Sequence, residues 1–379
     1  MMYNDFKGIK LSALGFGMMR LPVINGENSK IDEEATKEMI DYAIKNGVNY
    51  FDTAWGYHGE NSETVAGKYL SQYPRESYYL ATKFPGYDTS NFGKVEEIFE
   101  RQLEKCKTDY FDFYLLHNLY EGNFEFYLND EKYKTISYLL EQKKKGRIKY
   151  LGMSAHSNNE IFEDFLNKVG EHLDFCQIQL NYLDWDFQNA KEKVRILNER
   201  NIPIWVMEPL RGGKLVNLPK EAEDKLRALK ADESPVSWAF RFLQSVPGVN
   251  VILSGMSDME QLKDNIKIFS EKRLINEKEF NCLISIAHSI MGKGTYPCTG
   301  CKYCVSHCPI GLDIPTMIFL YNEHNFVKDG FMAPMAIGAL PSEKRPNACL
   351  GCKSCEAVCP QQIQIAEAMQ KLSEMLKLK

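Results

Sequence analysis

Eight short β-rich runs alternate with longer amphipathic stretches over about 260 residues. That pattern predicts an α/β chain whose strands close into a parallel (β/α)8 TIM barrel. A cysteine-dense tail follows, and its spacing predicts a second, α-rich, ferredoxin-like iron–sulfur domain. The 379 residues are therefore read as two domains, 1–290 and 291–379. An open, doubly wound sheet is the alternative for the first.

The strand candidates are Leu11–Phe16, Asn49–Ala54, Tyr78–Phe84, Tyr110–His117, Ile148–Ser154, Phe175–Asn181, Ile202–Glu208 and Val249–Gly255. Among the stretches between them are Asp32–Asn46, Glu60–Gln72, Phe92–Cys106, Glu131–Lys145, Asn158–Val169, Phe187–Arg200 and Ser257–Phe269. Apolar side chains recur there at three- and four-residue intervals, the period of a helix with one buried face. Asp32 and Asn158 suit helix starts, and Gly47 and Gly146 suit helix stops. Strands that alternate with helices in this way pair in parallel. Chemistry then belongs at the C-terminal strand ends.

The tail reads Cys298, Cys301, Cys304, Cys308-Pro309, and again Cys349, Cys352, Cys355, Cys359-Pro360. Three thiolates at this spacing embrace three corners of one [4Fe–4S] cubane, and the fourth is placed to cross to another. Two [4Fe–4S] clusters are therefore expected. Structural zinc needs only two C-x2-C pairs per tetrahedron. Disulfides suit an oxidising compartment, whereas Met1-Met2-Tyr3-Asn4-Asp5 lacks the n-region and h-region of a secretory leader. A reducing cytoplasm is the expected location. Cys106, Cys176 and Cys282 stand singly and read as small apolar side chains.

The formal net charge is −5. In residues 291–379, nine Lys/Arg face seven Asp/Glu, and two clusters at about −2 each would leave the tail near −2. No basic nucleic-acid footprint remains, and Lys143-Lys144-Lys145-Gly146-Arg147 reads as a solvated helix end. The apolar run Phe331–Leu340 is too short to span a bilayer, so no membrane association is expected. It is expected to pack against the barrel or a partner, or else to form a buried loop between the clusters.

Four protonatable side chains fall at the ends of the second, third and fourth predicted strands or just beyond: Asp52, Tyr57, Lys83 and His117. A carbonyl accepts hydride when its oxygen is protonated as negative charge develops. Tyr57 can supply that proton, provided a neighbouring cation favours the phenolate and draws its pKa down from about 10. Lys83 is the candidate cation, Asp52 the carboxylate that fixes it, and His117 the group that orients the substrate oxygen.

With these residues in place, the chain resembles an aldo-keto reductase over residues 8–275. The motifs are Phe51-Asp52-Thr53-Ala54-x-x-Tyr57, Thr82-Lys83, Leu115-Leu116-His117, Leu151-Gly152-Met153-Ser154 and Gly255-x-Ser257-x-x-x-Gln261-Leu262-x-x-Asn265. The resemblance implies that Asp52, Tyr57, Lys83 and His117 form a catalytic tetrad with Tyr57 as general acid. It also implies NADP or NAD extended across the barrel mouth. Ser154 and Gln177 would hold its carboxamide, the loop Leu210-Arg211-Gly212-Gly213-Lys214 would fold over its pyrophosphate, and Ser257, Gln261, Asp264 and Asn265 would meet its adenosine end. The chain departs from the family pattern at several positions. Ala155 stands where many members have Asn, Met207 where many have a stacking ring, and Gly255 and Gln261 where NADP-preferring members often carry Lys and Arg. His58 replaces a common glycine after Tyr57.

The expected activity is oxidoreduction between a small-molecule carbonyl and its alcohol, with clusters for electron exchange with a redox protein partner or a redox-active substrate. Hydride moves two electrons together and a cluster moves one, so direct exchange needs an intermediary such as flavin. The alternatives are a ferredoxin-coupled oxidoreductase using flavin or substrate directly, and a non-catalytic electron-transfer or binding subunit.

Overall fold

The computed structural model describes residues 1–291, 294–298, 300–327, 330–359 and 361–378. Pro360, of the second Cys-Pro pair, lies outside the described residues. The chain divides into two units, Met1–Ile284 and Ser285–Lys379.

In the first unit, β1 (Tyr3–Phe6) and β2 (Ile9–Ser12) form an antiparallel hairpin. Then come β3 (Leu14–Gly17), β4 (Tyr50–Asp52), β5 (Tyr79–Phe84), β6 (Phe111–Leu119), β7 (Ile148–Ala155), β8 (Phe175–Gln179), β9 (Ile204–Met207) and β10 (Val249–Gly255). Each of these eight pairs in parallel with its neighbour in sequence, and β10 closes the barrel on β3. The closed ring, not the open sheet, is the architecture.

The first predicted strand needs correction. Leu11 and Ser12 end the hairpin, the chain bends at Ala13, and only residues 14–17 enter the barrel. The corner is held by polar bonds that a run of apolar letters hides. Ser12 Oγ donates to the Leu14 carbonyl at 2.7 Å, and the Ser12 N–H donates to Asn49 Oδ1 at 2.8 Å.

Helices Glu33–Lys45, Ser62–Leu70, Val95–Cys106, Thr135–Lys144, Asn159–Val169, Ala190–Glu199 and Met259–Ile268 lie within the predicted stretches. Asp32 and Asn158 cap two of them through bonds from Ala35 N–H (3.1 Å) and Ile161 N–H (2.9 Å). Gly47 follows the end of the Asp32-capped helix Glu33–Lys45 and Gly146 that of Thr135–Lys144, with φ of +88° and +77°, a region open to glycine. Lys143 departs from the solvated reading, because its ammonium pairs with Asp174 at 2.5 Å. Helices Lys220–Leu229 and Pro235–Ser245 lie outside the predicted set. The second is capped by Ser234 and buries Trp238, Phe240 and Phe242.

The barrel's lower interior is filled by Tyr50, Phe113, Phe175, Trp205, Val251 and Leu253. Phe6 of the hairpin joins them, its ring 5.0 Å from Trp205 and 5.7 Å from Phe113. Large rings in this layer require small neighbours: a Cβ on Gly152 would stand 2.4 Å from the Phe175 ring. Outside the barrel, helix 62–70 crosses helix 95–106 at Gly67, where a Cβ would lie 2.2 Å from the Lys105 carbonyl oxygen. Backbone cannot yield there cheaply. Gly67→Ala is expected to cost about 2 kcal/mol in denaturant unfolding while leaving the iron content unchanged.

In the second unit, helices Ile314–Phe326 and Ile365–Met375 follow the two Cys-Pro segments and share a core that includes Met317, Ile318, Met369 and Leu372. The apolar run 331–340 forms helix Met332–Gly338, which buries Ala333 and Ile337 in that core and leaves Phe331 47% exposed. Among the described residues no helix is long and apolar enough to cross a membrane.

Candidate active site and cluster-binding thiols

Strand periodicity builds the mouth of the barrel. Side chains two residues apart share a face, so above Tyr50, Ala81, Leu115 and Phe175 of the core come Asp52, Lys83, His117 and Gln177. An apolar layer thus carries a polar one directly on its C-terminal side.

Lys83 is fully buried, and its Nζ donates to Asp52 Oδ1 at 2.6 Å and to the Thr53 carbonyl at 2.8 Å. Burial works against the ammonium, but Asp52 and Tyr57 together outweigh it and hold the Lys83 pKa above its ordinary value. Burial pushes the Asp52 carboxyl up, against the pull of Lys83. The Tyr57 ring centroid lies 5.0 Å from Lys83 Nζ and 6.0 Å from the His117 ring, which it meets edge-on. Tyr87 also meets the His117 ring edge-on, at 5.3 Å. The four predicted residues are brought together.

Their titration differs from the expectation in one respect. Burial raises the Tyr57 pKa above its usual value, and the opposing effect of Lys83 does not reverse it. The phenol therefore keeps its proton at neutral pH. His117 is pushed well below its ordinary value, first by burial and then by Lys83, so its imidazole is neutral.

Ser154 and Gln177 are direct partners in the β7–β8 register, and both are buried. Ser154 Oγ accepts the Asn118 N–H at 2.8 Å, whereas Gln177 Oε1 is buried without a hydrogen-bond partner. A buried acceptor of this kind fits an amide N–H donor. Residues 210–214 make consecutive turns with Gly212 and Gly213 exposed at φ of +61° and +88°. Leu210 starts this loop, and its carbonyl accepts from Gly213 N–H at 3.0 Å. Arg211 does not face outward: it is buried and grips Asp184 through its Nε at 2.9 and 3.0 Å. Glu208, at φ +55°, accepts the Gly212 N–H, and burial raises its carboxyl.

At the end of β10, Ser257 Oγ donates to the Arg20 carbonyl at 2.9 Å, and Gln261 Oε1 accepts the Ser257 N–H at 3.0 Å. Asp258 caps the helix that follows, accepting from Gln261 N–H at 2.8 Å. Asp264 is exposed on that helix, while Asn265 is buried and donates to Ser254 Oγ at 3.0 Å. His58 is spent on the neighbouring loop: Nε2 accepts the Leu21 N–H at 3.1 Å, and Nδ1 lies 2.7 Å from the Asn28 carbonyl.

Asp184, Glu208 and Asp258 were given no role in the site by the sequence reading. Asp258 carried a recognisable signal, an acidic residue at the second position of the predicted stretch Ser257–Phe269, directly before the observed helix Met259–Ile268. The Asp184–Arg211 pair, 27 residues apart, carried none.

In the second unit all eight motif thiols are free and border two cavities. Cys298, Cys301, Cys304 and Cys359 line one, and Cys308, Cys349, Cys352 and Cys355 line the other. Each set takes three thiols from one motif and its fourth from the other, the crossed pattern expected from the spacing. Ile314 and Ile365 border both cavities.

Comparison with known proteins finds a family match for each unit. Residues 13–287 match the aldo/keto reductase family model, and residues 297–364 match that of the 4Fe-4S dicluster domain. An uncharacterized oxidoreductase of Bacillus subtilis is 26% identical over 300 residues, covering 71% of this chain and 91% of the relative. L-galactose dehydrogenase of Arabidopsis thaliana is 26% identical over 285 residues, covering 70% and 86%. Among solved structures, an aldo-keto reductase from Bacillus halodurans superposes with a TM-score of 0.60 at 23% identity, covering 76% of this chain and 96% of the other. The likeness in structure is one of fold. With its match over residues 13–287, the chain belongs to the aldo/keto reductase family: it is an oxidoreductase whose barrel is joined in sequence to a 4Fe-4S dicluster domain.

Proposed function

We propose that the barrel reduces a small-molecule aldehyde or ketone to its alcohol, or runs the reverse, with NADP or NAD, and that the tail holds two [4Fe–4S] clusters for one-electron exchange with a redox protein partner. The observation that carries this reading is the buried Lys83–Asp52 pair beneath Tyr57, with neutral His117 against the same ring.

A reduced nicotinamide held at Ser154 and Gln177 would supply the hydride, and clusters held by the two crossed thiol sets would supply one-electron chemistry. Leu210, Gly212 and Gly213 would border its pyrophosphate, and Ser257, Gln261, Asp264 and Asn265 its adenosine end. Tyr57 gives its hydroxyl proton to the substrate oxygen as the carbonyl carbon gains hydride. The phenolate left behind is met by the Lys83 ammonium, which Asp52 keeps in place. His117, uncharged, offers a ring N–H to the same oxygen and fixes the carbonyl's orientation. Three single thiols, Cys106, Cys176 and Cys282, and eight cysteines set out as cluster ligands suit a reducing compartment such as the cytoplasm.

The test is an anaerobic assay of the intact holoprotein with NADH or NADPH and a panel of aldehydes and ketones. Nucleotide oxidation is expected with at least one carbonyl. If no carbonyl is reduced and neither nucleotide binds, the proposal fails. The pH profile gives an independent check. A phenol held above its ordinary value loses its proton only as pH rises past that value, so kcat/KM for reduction should stay level through neutrality and fall above about pH 10. A fall near neutrality would mean that Lys83 outweighs burial.

A further inference from the structure

Strand β5 outruns its neighbour at the mouth of the barrel. β4 pairs with it from Tyr50 to Asp52, the last of these opposite Ala81. Thr53 adds one rung, its N–H donating to the Ala81 carbonyl at 2.9 Å. Carbonyls two residues apart on a strand point to the same side. The Lys83 carbonyl therefore faces the place where β4 would continue, but the chain there has turned into the loop that carries Tyr57. A side chain stands in for the strand: Gln102 Nε2 donates to the Lys83 carbonyl at 3.0 Å.

Gln102 comes from helix 95–106, outside the barrel, and both ends of its amide are held. Its Oε1 accepts the Tyr114 hydroxyl at 2.5 Å, and its Nε2 donates also to Glu63 Oε1 at 2.7 Å. Glu63 is fully buried. It accepts the Thr82 hydroxyl on the same oxygen at 2.6 Å and pairs through Oε2 with the Lys105 ammonium at 2.8 Å. Lys105 in turn lies 4.6 Å from the ring of Trp55, two residues before Tyr57. Next to Glu63, Ser62 Oγ donates to the Met18 carbonyl at 3.0 Å and lies 2.8 Å from the Thr53 hydroxyl. Thr53 is the residue whose carbonyl receives the Lys83 ammonium. Both ends of Lys83 are thus tied to the first two residues of helix 62–70, the backbone through Glu63 and Gln102, the ammonium through Ser62 and Thr53.

A buried polar network whose members satisfy one another holds a single geometry. We infer that Gln102 and Glu63 are positioning residues for the proposed reaction, setting where the Lys83 ammonium stands beside the Tyr57 ring. They act through Lys83 from outside the barrel: Thr82, which Glu63 holds, is its neighbour on β5 and turns its side chain to the opposite face. The inference rests on the roles proposed for Tyr57 and Lys83.

The experiment measures single-turnover oxidation of NADH or NADPH by the intact holoprotein with a carbonyl it reduces, together with nucleotide affinity from quenching of tryptophan fluorescence. Gln102→Leu should slow the chemical step by about 10- to 100-fold, the scale of loss when a reacting group is misplaced by about 1 Å. Nucleotide affinity and the carbonyl KM should stay unchanged. Glu63→Leu should show the same split, and Glu63→Gln, which keeps an oxygen for Thr82 and Gln102, should recover most of the rate. If Gln102→Leu does not fold, Thr82→Val, which removes one hydroxyl from the network, decides by the same split. A chemical step at wild-type speed in the folded variants, a loss of rate matched by a loss of nucleotide affinity, or a Glu63→Gln variant no faster than Glu63→Leu overturns the inference. Wild-type protein that reduces no carbonyl overturns the proposed reaction itself, and the positioning role with it.

Discussion

Tyr57→Phe should lower kcat/KM for carbonyl reduction by about 10²- to 10⁴-fold, the range associated with loss of a positioned general acid. The variant keeps the ring that packs edge-on against His117 at 6.0 Å and lies over Lys83 at 5.0 Å. Only the proton donor is lost. Nucleotide affinity, iron content and unfolding midpoint should therefore stay near wild type, and the deficit should appear in the chemical step under single-turnover conditions. Wild-type turnover by this variant would remove Tyr57 from the reaction and favour an electron-carrying or binding role for the chain. Turnover lost together with nucleotide affinity would instead point to a disturbed mouth.

Lys83→Met should have the largest combined effect on stability and activity. It strips the partner from a carboxylate that is 2% exposed, whose Oδ1 receives the ammonium at 2.6 Å and whose Oδ2 has no hydrogen bond. Leaving one member of a buried pair uncompensated costs about 3–5 kcal/mol, moderated here by the readiness of Asp52 to take up a proton. The double variant Asp52→Asn with Lys83→Met removes both charges and should recover much of that loss in urea unfolding. Activity should stay low in single and double variants alike, since neither leaves a cation to meet the Tyr57 phenolate. A double variant no more stable than Lys83→Met would show that the pair's geometry, and not its charge, holds this part of the barrel.

Most of the architecture was legible because it is written in local periodicity. Eight runs with strand character became eight barrel strands, and seven helical stretches became helices, two of them starting at the predicted Asp32 and Asn158 caps. The failures share a cause. The bend at Ala13 depends on Ser12 meeting Asn49, 37 residues away, and no window of neighbouring letters reports that bond. Helix Pro235–Ser245 opens with Ser-Pro and carries bulky aromatics, a composition that resembles a loop leading to a strand until its burial against the barrel is known.

The active-site candidates divide in the same way. Asp52, Lys83 and His117 could be placed because residues two apart on a strand share a face and barrel chemistry gathers at the C-terminal ends. The protonation state of Tyr57 could not be placed. Proximity to Lys83 argued for a depressed pKa, and only the degree of burial, a property of all the packed neighbours together, showed that desolvation prevails. Arg211 teaches the same lesson, since nothing in the loop Leu210-Arg211-Gly212-Gly213-Lys214 reports that its cation is buried against Asp184, 27 residues away.

Thiol spacing determined by itself that the tail is an iron–sulfur fold, because a cubane demands three nearby thiolates and a fourth from elsewhere, and few other uses fit that spacing. Alternation of strand and helix likewise determined the barrel. Tertiary structure alone decided whether the phenol at the mouth keeps its proton and that Arg211 turns inward onto Asp184. The reason is physical: spacing and period act through the covalent chain over a few residues, whereas desolvation and hydrogen bonding depend on groups that only folding brings together.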